Sequence, residues 1–333
     1  MSEHIKGKKI LYCAPIDKPG NSGRYVIDAM QQLGFTVIGY DYRQKVDFEK
    51  EILTIVEEEK PDYFFTQKGE ILNPGIIRKF KDKGCVTIFW CFDAAMGDWY
   101  IPIAREHDFV LTNVEDHVHR LKKEGIKNVK WMHQGFAPKF FGIEGGETFE
   151  FPCYADLAMI GSMGTPIYKS RCESALLLKK NHFNIKWWGP HLARTFRNMK
   201  YHLKGIGRIW AGNEVFMKDF ADVIRHTKIF IGEDSDIPIS GKTLSNRSFA
   251  VMGCGGFYLC RRTPGIEYAF EIGKEIDVFD TDDEMIEKVE YYLNKETARK
   301  KIAAAGQKKV LEMYTYKKQM EKIFDWVANS EKR

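Results

Sequence analysis

The sequence predicts an α/β protein made of two successive doubly wound parallel-sheet domains. Short apolar runs rich in β-branched and aromatic residues alternate with amphipathic segments, and the alternation pauses once before resuming. The 333-residue length suits two domains, at roughly 150 residues each. Near-continuous apolar strands separated by helices indicate parallel sheets covered on both faces.

In the first half the predicted strands are KKILYCAP, FTVIGYDY, DYFFTQ, VTIFWCF, DFVLTN and VKWMH. Amphipathic stretches such as GRYVIDAMQQLG and EDHVHRLKKEG lie between them, each ending on a glycine that suits a helix C-cap. The segment GFAPKFFGIEGGETFEFPCYA carries glycines and prolines without periodicity and reads as the inter-domain connection. Strand patterns resume with DLAMIGS, NIKWWG, TKIFIGE, GFYLCRR and EIDVF. The helices DDEMIEKVEYYLN, ETARKKIAAAGQKKVLEMY and KKQMEKIFDWVA follow. The predicted domains are residues 1–142 and 143–315, with a helix over 316–333 expected to pack back on the first.

Hydrophobic residues make up 44% and charged residues 29%, the balance of a soluble globular protein. No apolar run reaches the ~18–20 residues of a membrane span. The start, MSEHIKGKKILYCAP, has too short an apolar stretch before Pro15 for a secretory signal, so a cytoplasmic location is expected. Seven cysteines, none spaced C-x-x-C, read as buried free thiols. The net charge of +5 is unevenly spread. Residues 174–213 hold no Asp or Glu but accumulate Lys179, Lys180, Lys186, Arg194, Arg197, Lys200, Lys204 and Arg208. Such a segment implies an anionic ligand or partner, or else a plain solvated face.

In doubly wound sheets ligands bind outside the strand C-termini, so two facing domains would bind between them. That is the GT-B architecture of many glycosyltransferases. Two-domain binding proteins and some epimerases share it, and fold alone does not give function. Residues 240–312 are more specific. Asn246-Arg247, Phe249, the run Gly253 to Phe257, Tyr292-Leu293, Ile302-Ala303 with Gly306, and Tyr314-Thr315-Tyr316 form a pattern. It resembles that of the CgeB-like (spore maturation protein-like) glycosyltransferases, a GT-B group related to glycosyltransferase families 1 and 4. The likeness is weaker over the rest of the second half and mostly architectural in the first. It implies sugar transfer from a nucleoside-diphosphate sugar, a UDP-sugar being expected, with no metal and no other cofactor. The first domain would then serve the acceptor and the second the donor. One position departs from the pattern: Ala250 stands where the family carries the glutamate that usually bonds the ribose.

A diphosphate needs positive potential, which helix N-termini supply. SGKTLSNRS precedes the predicted helix NRSFAVMG; Ser245 or Thr243 is the expected N-cap, and Lys242 and Arg247 add full charges beside Asn246. Gly253, Gly255 and Gly256 let the chain turn back into a strand, either with Gly255 near ligand or as a tight turn alone. Gly161-Ser162-Met163-Gly164 offers backbone donors after the strand DLAMIGS. Arg171 follows in the next helix, either on phosphate, as the family often places an arginine, or in solvent.

In the first domain Asp17, Gly20, Ser22 and Gly23 follow the first strand as an acceptor-side loop, and Asp93 follows the fourth. With strand order 3-2-1-4-5-6 those strands are neighbours, so both aspartates would edge one crevice. An inverting reaction needs a general base; Asp93 is the first candidate, then Asp17 and His133. The alternative for Asp93 is a helix N-cap on AAMGDWYIPIA. Gly241-Lys242-Thr243 lacks the remaining glycine of a P-loop. Asp234-Ser235-Asp236 and Asp280-Thr281-Asp282 read as loop and helix-start acids rather than metal ligands. The expected function is therefore a metal-independent hexosyl- or pentosyltransferase acting on a glycan, a protein or a nucleobase in DNA. The basic stretch HLARTFRNMKYHLKGIGR makes nucleic acid a candidate partner. The alternatives are a non-catalytic nucleotide-sugar or nucleic-acid binding module and, third, an epimerase of the same architecture.

Overall fold

A computed structural model describes residues 7–44, 47–143, 154–239 and 241–331. Cys153, Ser240 and residues 144–153 of the expected connection lie outside them. The chain divides into two units. One comprises Met1–Ala137, Ile239–Leu244 and Thr315–Arg333; the other comprises Pro138–Pro238 and Ser245–Tyr314. The sequence placed the first boundary five residues later and did not foresee the return of 239–244 to the first unit.

The first unit alternates β1 (Lys9–Cys13), α1 (Gly23–Gln32), β2 (Thr36–Tyr40), α2 (Phe48–Glu59), β3 (Tyr63–Gln67), α3 (Pro74–Asp82), β4 (Val86–Cys91), α4 (Tyr100–Glu106), β5 (Phe109–Thr112), α5 (Glu115–Lys123) and β6 (Val129–Trp131). All pairings are parallel, in the order β2-β1-β3-β4-β5-β6. This corrects the expected neighbourhood of strands one and four. After β2 the chain crosses back over β1 to lay β3 on its other side, so β3 separates β1 from β4. The core holds Leu11, Phe64, Phe80, Phe89 and Tyr100.

The second unit alternates β7 (Ala155–Ile160), α6 (Lys169–Lys180), β8 (Ile185–Trp188), α7 (Met199–Leu203), β9 (Trp210–Gly212), α8 (Met217–Arg225), β10 (Thr227–Gly232), α9 (Asn246–Gly253), β11 (Tyr258–Arg261), α10 (Pro264–Ala269) and β12 (Asp277–Phe279). Helices α11 (Asp282–Asn294) and α12 (Glu296–Met313) follow. Its sheet runs β12-β11-β10-β7-β8-β9, again parallel. Counted within the unit this is 3-2-1-4-5-6, the order expected of the first domain, and β7 and β10 flank its switch point. Leu157, Trp187, Ile231, Leu259 and Met285 form its core.

Helix α13 (Tyr316–Glu331) belongs to the first unit. Phe324 packs on Phe35 at 4.4 Å and Tyr63 at 5.5 Å, and Trp326 on Phe109 at 5.2 Å. Tyr316 donates its N–H to the Phe136 carbonyl. Cys13, Cys85, Cys91, Cys172, Cys254 and Cys260 are buried free thiols. Burial raises each, Cys85 and Cys172 to about 11 and Cys91 to about 12.

Candidate anion site of the second unit

Two strand ends build the site. Beyond β7 the backbone turns at Gly161, with φ +125°. Its N–H donates to the Trp188 carbonyl at 2.9 Å, and its own carbonyl accepts the Trp187 indole N–H at 2.7 Å. Beyond β10 comes Glu233, only 2% exposed. Its main-chain carbonyl accepts from Arg171 Nε at 3.2 Å, Arg171 Nη2 at 2.8 Å and Arg247 Nη1 at 3.3 Å. Arg171 Nη1 donates to the Ser162 carbonyl, and its guanidinium lies over the Tyr168 ring at 4.5 Å. Two guanidiniums thus converge on the turn after β7. A Cβ at position 161 would sit 2.8 Å from Arg247 Nη2 and 3.2 Å from Arg171 Nη1. Only glycine accepts both the positive φ and that approach.

The electrostatics are one-sided. Among the described residues no carboxylate reaches salt-bridge distance, 4.0 Å, of Arg171 or Arg247. Arg171 is 3% exposed; burial and then the neighbouring Arg247 lower its pKa to about 10, so it remains charged near neutrality. The nearby acid is already used. The Glu233 carboxylate takes Arg261 Nε at 3.0 Å and Nη2 at 2.9 Å, with the Ser174 hydroxyl at 2.6 Å. Arg261 also pairs with Asp282. The exposed Asp234 acts on Arg171 only from beyond salt-bridge distance, so Arg171 and Arg247 carry positive charge with no ion-pair partner among the described residues, at the switch point of a doubly wound sheet.

Helix α9 adds its N-terminus. Ser245 is the N-cap, its Oγ accepting from Arg247 N at 3.3 Å. The Asn246 Oδ1 is buried with no partner among the described residues. Partial positive charge from unsatisfied N–H groups adds to that of Arg247. The arrangement can hold an anion with two or more oxygens.

Other sequence candidates lie elsewhere. Gly255, with φ +83°, closes the opposite end of α9, where Gly255 N donates to Met252 O and Gly256 N to Val251 O. That is a helix C-terminal turn, at the edge where β11 begins. Lys242 and Thr243 belong to the first unit. Lys242 Nζ pairs with Glu115 at 2.7 Å and lies over the Trp131 ring; Glu115 N donates to the Lys242 carbonyl, and Thr243 bridges Val114. The partner of Arg247 in charge is thus Arg171 rather than Lys242. Asp236 receives the Lys169 N–H at the start of α6, the task of a cap. Asp280 pairs with Arg262 and Asp282 with Arg261. Among the described residues no group of three or more His, Cys, Asp or Glu could hold a metal ion.

In the first unit the candidates do not share one crevice between adjacent strands. Asp17 is exposed, and the loop carrying it is tied down by Ile16 and Asp17 N–H groups on Asp41 and by Arg24 on two carbonyls. Gly20 is exposed in the same loop. The Ser22 hydroxyl accepts from Gln67 Nε2 at 2.9 Å instead of capping α1. Gly23 is required by packing, since a Cβ there would lie 2.4 Å from the Pro15 carbonyl. Asp93 pairs with Lys68 at 2.8 Å, and α4 starts seven residues later, so it caps no helix. Burial lowers His133 to about 4, with its Nδ1 2.7 Å from the Gln134 carbonyl. Sequence reasoning missed Glu233 and Arg261. Their only signals were an acid ending TKIFIGE and an arginine ending GFYLCRR.

Residues 172–325 match the family model described as glycosyl transferase-like. No curated protein matches the chain. Among solved structures, sucrose-phosphate synthase from Thermosynechococcus elongatus aligns with a TM-score of 0.70 at 9% identity, covering 97% of this chain and 100% of that one. Anabaena HepE in complex with UDP-glucose aligns at 0.64 and 11% identity, covering 96% and 99%. A glycosyltransferase from Rickettsia africae aligns at 0.64 and 12%, covering 96% and 97%. The chain therefore has the GT-B fold, and its second half carries a glycosyl transferase-like segment.

Proposed function

We propose that the protein is a glycosyltransferase that moves a hexosyl or pentosyl group from a nucleoside-diphosphate sugar, a UDP-sugar first, to an acceptor. One observation carries the reading: the Arg171–Arg247 guanidinium pair, with no carboxylate at salt-bridge distance among the described residues, at the β7/β10 switch point of the second unit, where Arg247 lies inside the matched residues 172–325 and Arg171 directly before them. Cleavage of a sugar–phosphate bond leaves negative charge on the departing diphosphate, and preorganised donors aimed at that charge are the main source of rate. Arg247 supplies guanidinium N–H groups, α9 supplies its N-terminal N–H groups, and Arg171 holds the Ser162 turn while adding buried positive charge. The mechanism proposed is metal-independent, in a CgeB-like enzyme acting in the cytoplasm. Asp93 is the base proposed for an inverting outcome, ahead of Asp17 and His133. The bound UDP-glucose of HepE supports a UDP-sugar as the first donor to try.

A second reading, a nucleotide-sugar binding module without turnover, is favoured by Ala250. It lies 6% exposed within α9, where the resemblance expects a ribose-binding glutamate. Two measurements separate the readings. UDP, GDP, dTDP and CMP are compared for thermal stabilisation, since a ligand that binds only the folded state raises the melting temperature. Release of free sugar from nucleotide sugars of the stabilising nucleotide is then followed, with and without a chelator. Turnover unaffected by chelation supports the transferase; stabilisation without sugar release supports the module; no stabilisation by any nucleotide removes both. A panel of glycan, protein and duplex DNA, read by sugar incorporation, assigns the acceptor.

A further inference from the structure

The acid-free segment of the second unit builds a second cationic feature that the donor reading does not use. A cavity of about 310 Å³ is lined by His191, Arg194, His202, Lys204 and Arg208, together with Leu203. The His191 and His202 rings stack at 6.4 Å, and His191 meets Trp210 edge-on at 5.2 Å. His202 Nε2 is buried with no partner among the described residues. Of the flanking cations, Lys200 reaches Glu173 at 3.5 Å. Among the described residues Arg194, Arg197, Lys204 and Arg208 form no salt bridge.

Beside the cavity, apolar side chains point to solvent. Phe196 is 96% exposed, Leu203 82% and Met199 45%. Their spacing of three and four residues puts them on one side of α7 and its preceding turn. The opposite side is anchored, because Tyr201 and Ile206 are buried in the core. The segment thus presents a fixed ridge of apolar tips bordered by cations and a cationic cavity.

We propose that this ridge is a peripheral membrane-docking surface: Phe196, Met199 and Leu203 enter the headgroup–acyl boundary of an anionic bilayer while the cavity receives a phosphate-bearing lipid headgroup. Apolar insertion combined with cationic attraction is how an interfacial segment binds. Nucleic acid accounts for the cations and for Phe196, which could stack on a base. It leaves Leu203 and Met199 without a role, whereas a bilayer uses all three. The surface lies on α7 and its flanking loops, and its occupancy is independent of the donor reading.

The test uses the full chain in vesicle co-sedimentation. Vesicles of phosphatidylcholine alone are compared with phosphatidylcholine–phosphatidylglycerol, at low and high salt. Binding should require the anionic lipid and weaken as salt rises. The double variant Arg194→Gln/Arg208→Gln should weaken partitioning by roughly thirtyfold. Phe196→Asp/Leu203→Asp should abolish it, with the melting temperature unchanged because both positions are exposed. Inorganic phosphate at millimolar concentration should not displace the protein from vesicles, since a free ion lacks the apolar contribution. The proposal is overturned if anionic vesicles are not bound, if neutral vesicles are bound equally, or if inorganic phosphate displaces the protein. It is also overturned if duplex DNA binds more tightly than vesicles and Phe196→Asp/Leu203→Asp leaves that affinity intact.

Discussion

Arg171 and Arg247 share one carbonyl, yet their substitution should have different effects. Arg247 spends one N–H on the Glu233 carbonyl, and among the described residues its guanidinium makes no other hydrogen bond. Arg247→Ala should lower UDP affinity by roughly tenfold to a hundredfold, as expected of a hydrogen bond to a charged group, while leaving the ligand-free melting temperature nearly unchanged. Arg171 is almost fully buried and holds two carbonyls, so Arg171→Ala should lower stability and affinity together. Glu233→Ala should cost about 1–3 kcal/mol in urea unfolding, the scale for losing hydrogen bonds to a charged group, since Arg261 is one-third exposed and keeps Asp282 as a partner. Arg247 was legible in the sequence because it follows an N-cap at the mouth of a helix. Lys242, five residues earlier, carried the same signal but is held by Glu115, 127 residues away in the chain. Proximity along the sequence could not foresee a neutralising partner that only the first unit's fold provides.

The elements themselves were the most readable level. Eleven of the strands were predicted from apolar runs, since parallel strands buried on both faces leave a continuous signal. Strand β9 was missed because Trp-Ala-Gly has no β-branched residue and ends in glycine, so it carries little strand signal. The strand order of the first unit was also unreadable, because a crossover leaves no trace in composition. At helix α9 the local chemistry makes checkable claims. Ser245→Ala removes a cap and should cost about 1 kcal/mol, and Gly255→Ala forces a β-carbon into a positive φ and should cost about as much. Both are read as shifts in the denaturation midpoint. Nucleotide affinity should fall with the first and not the second, since only Ser245 stands at the anion end.

For the molecule as a whole, stability should depend on pH through buried imidazoles, His107 and His133 foremost and His117 in the same direction. Burial lowers both His107 and His133 from 6.5 to about 4. Both are neutral in the fold, so their contribution is fully present above about pH 6.5. It is lost as pH falls toward 4, where the unfolded chain binds protons that the native state resists. The urea midpoint should decline across that window, and His107→Gln should make the decline shallower. Helix α13 matters at the same scale. Phe324 and Trp326 cover Phe35, Tyr63 and Phe109, so a chain ending at Tyr314 should expose that apolar surface and aggregate, as light scattering would report.

The six sealed thiols have a practical consequence. A maleimide cannot reach a sulfur that solvent cannot, and each thiol is further quietened by its resistance to ionising. Modification of these six in native buffer should therefore proceed only through transient opening, with Cys13, Cys85 and Cys91 reporting on one unit and Cys172, Cys254 and Cys260 on the other. Mass spectrometry of labelled peptides over time would then give each unit its own clock, without any engineered probe.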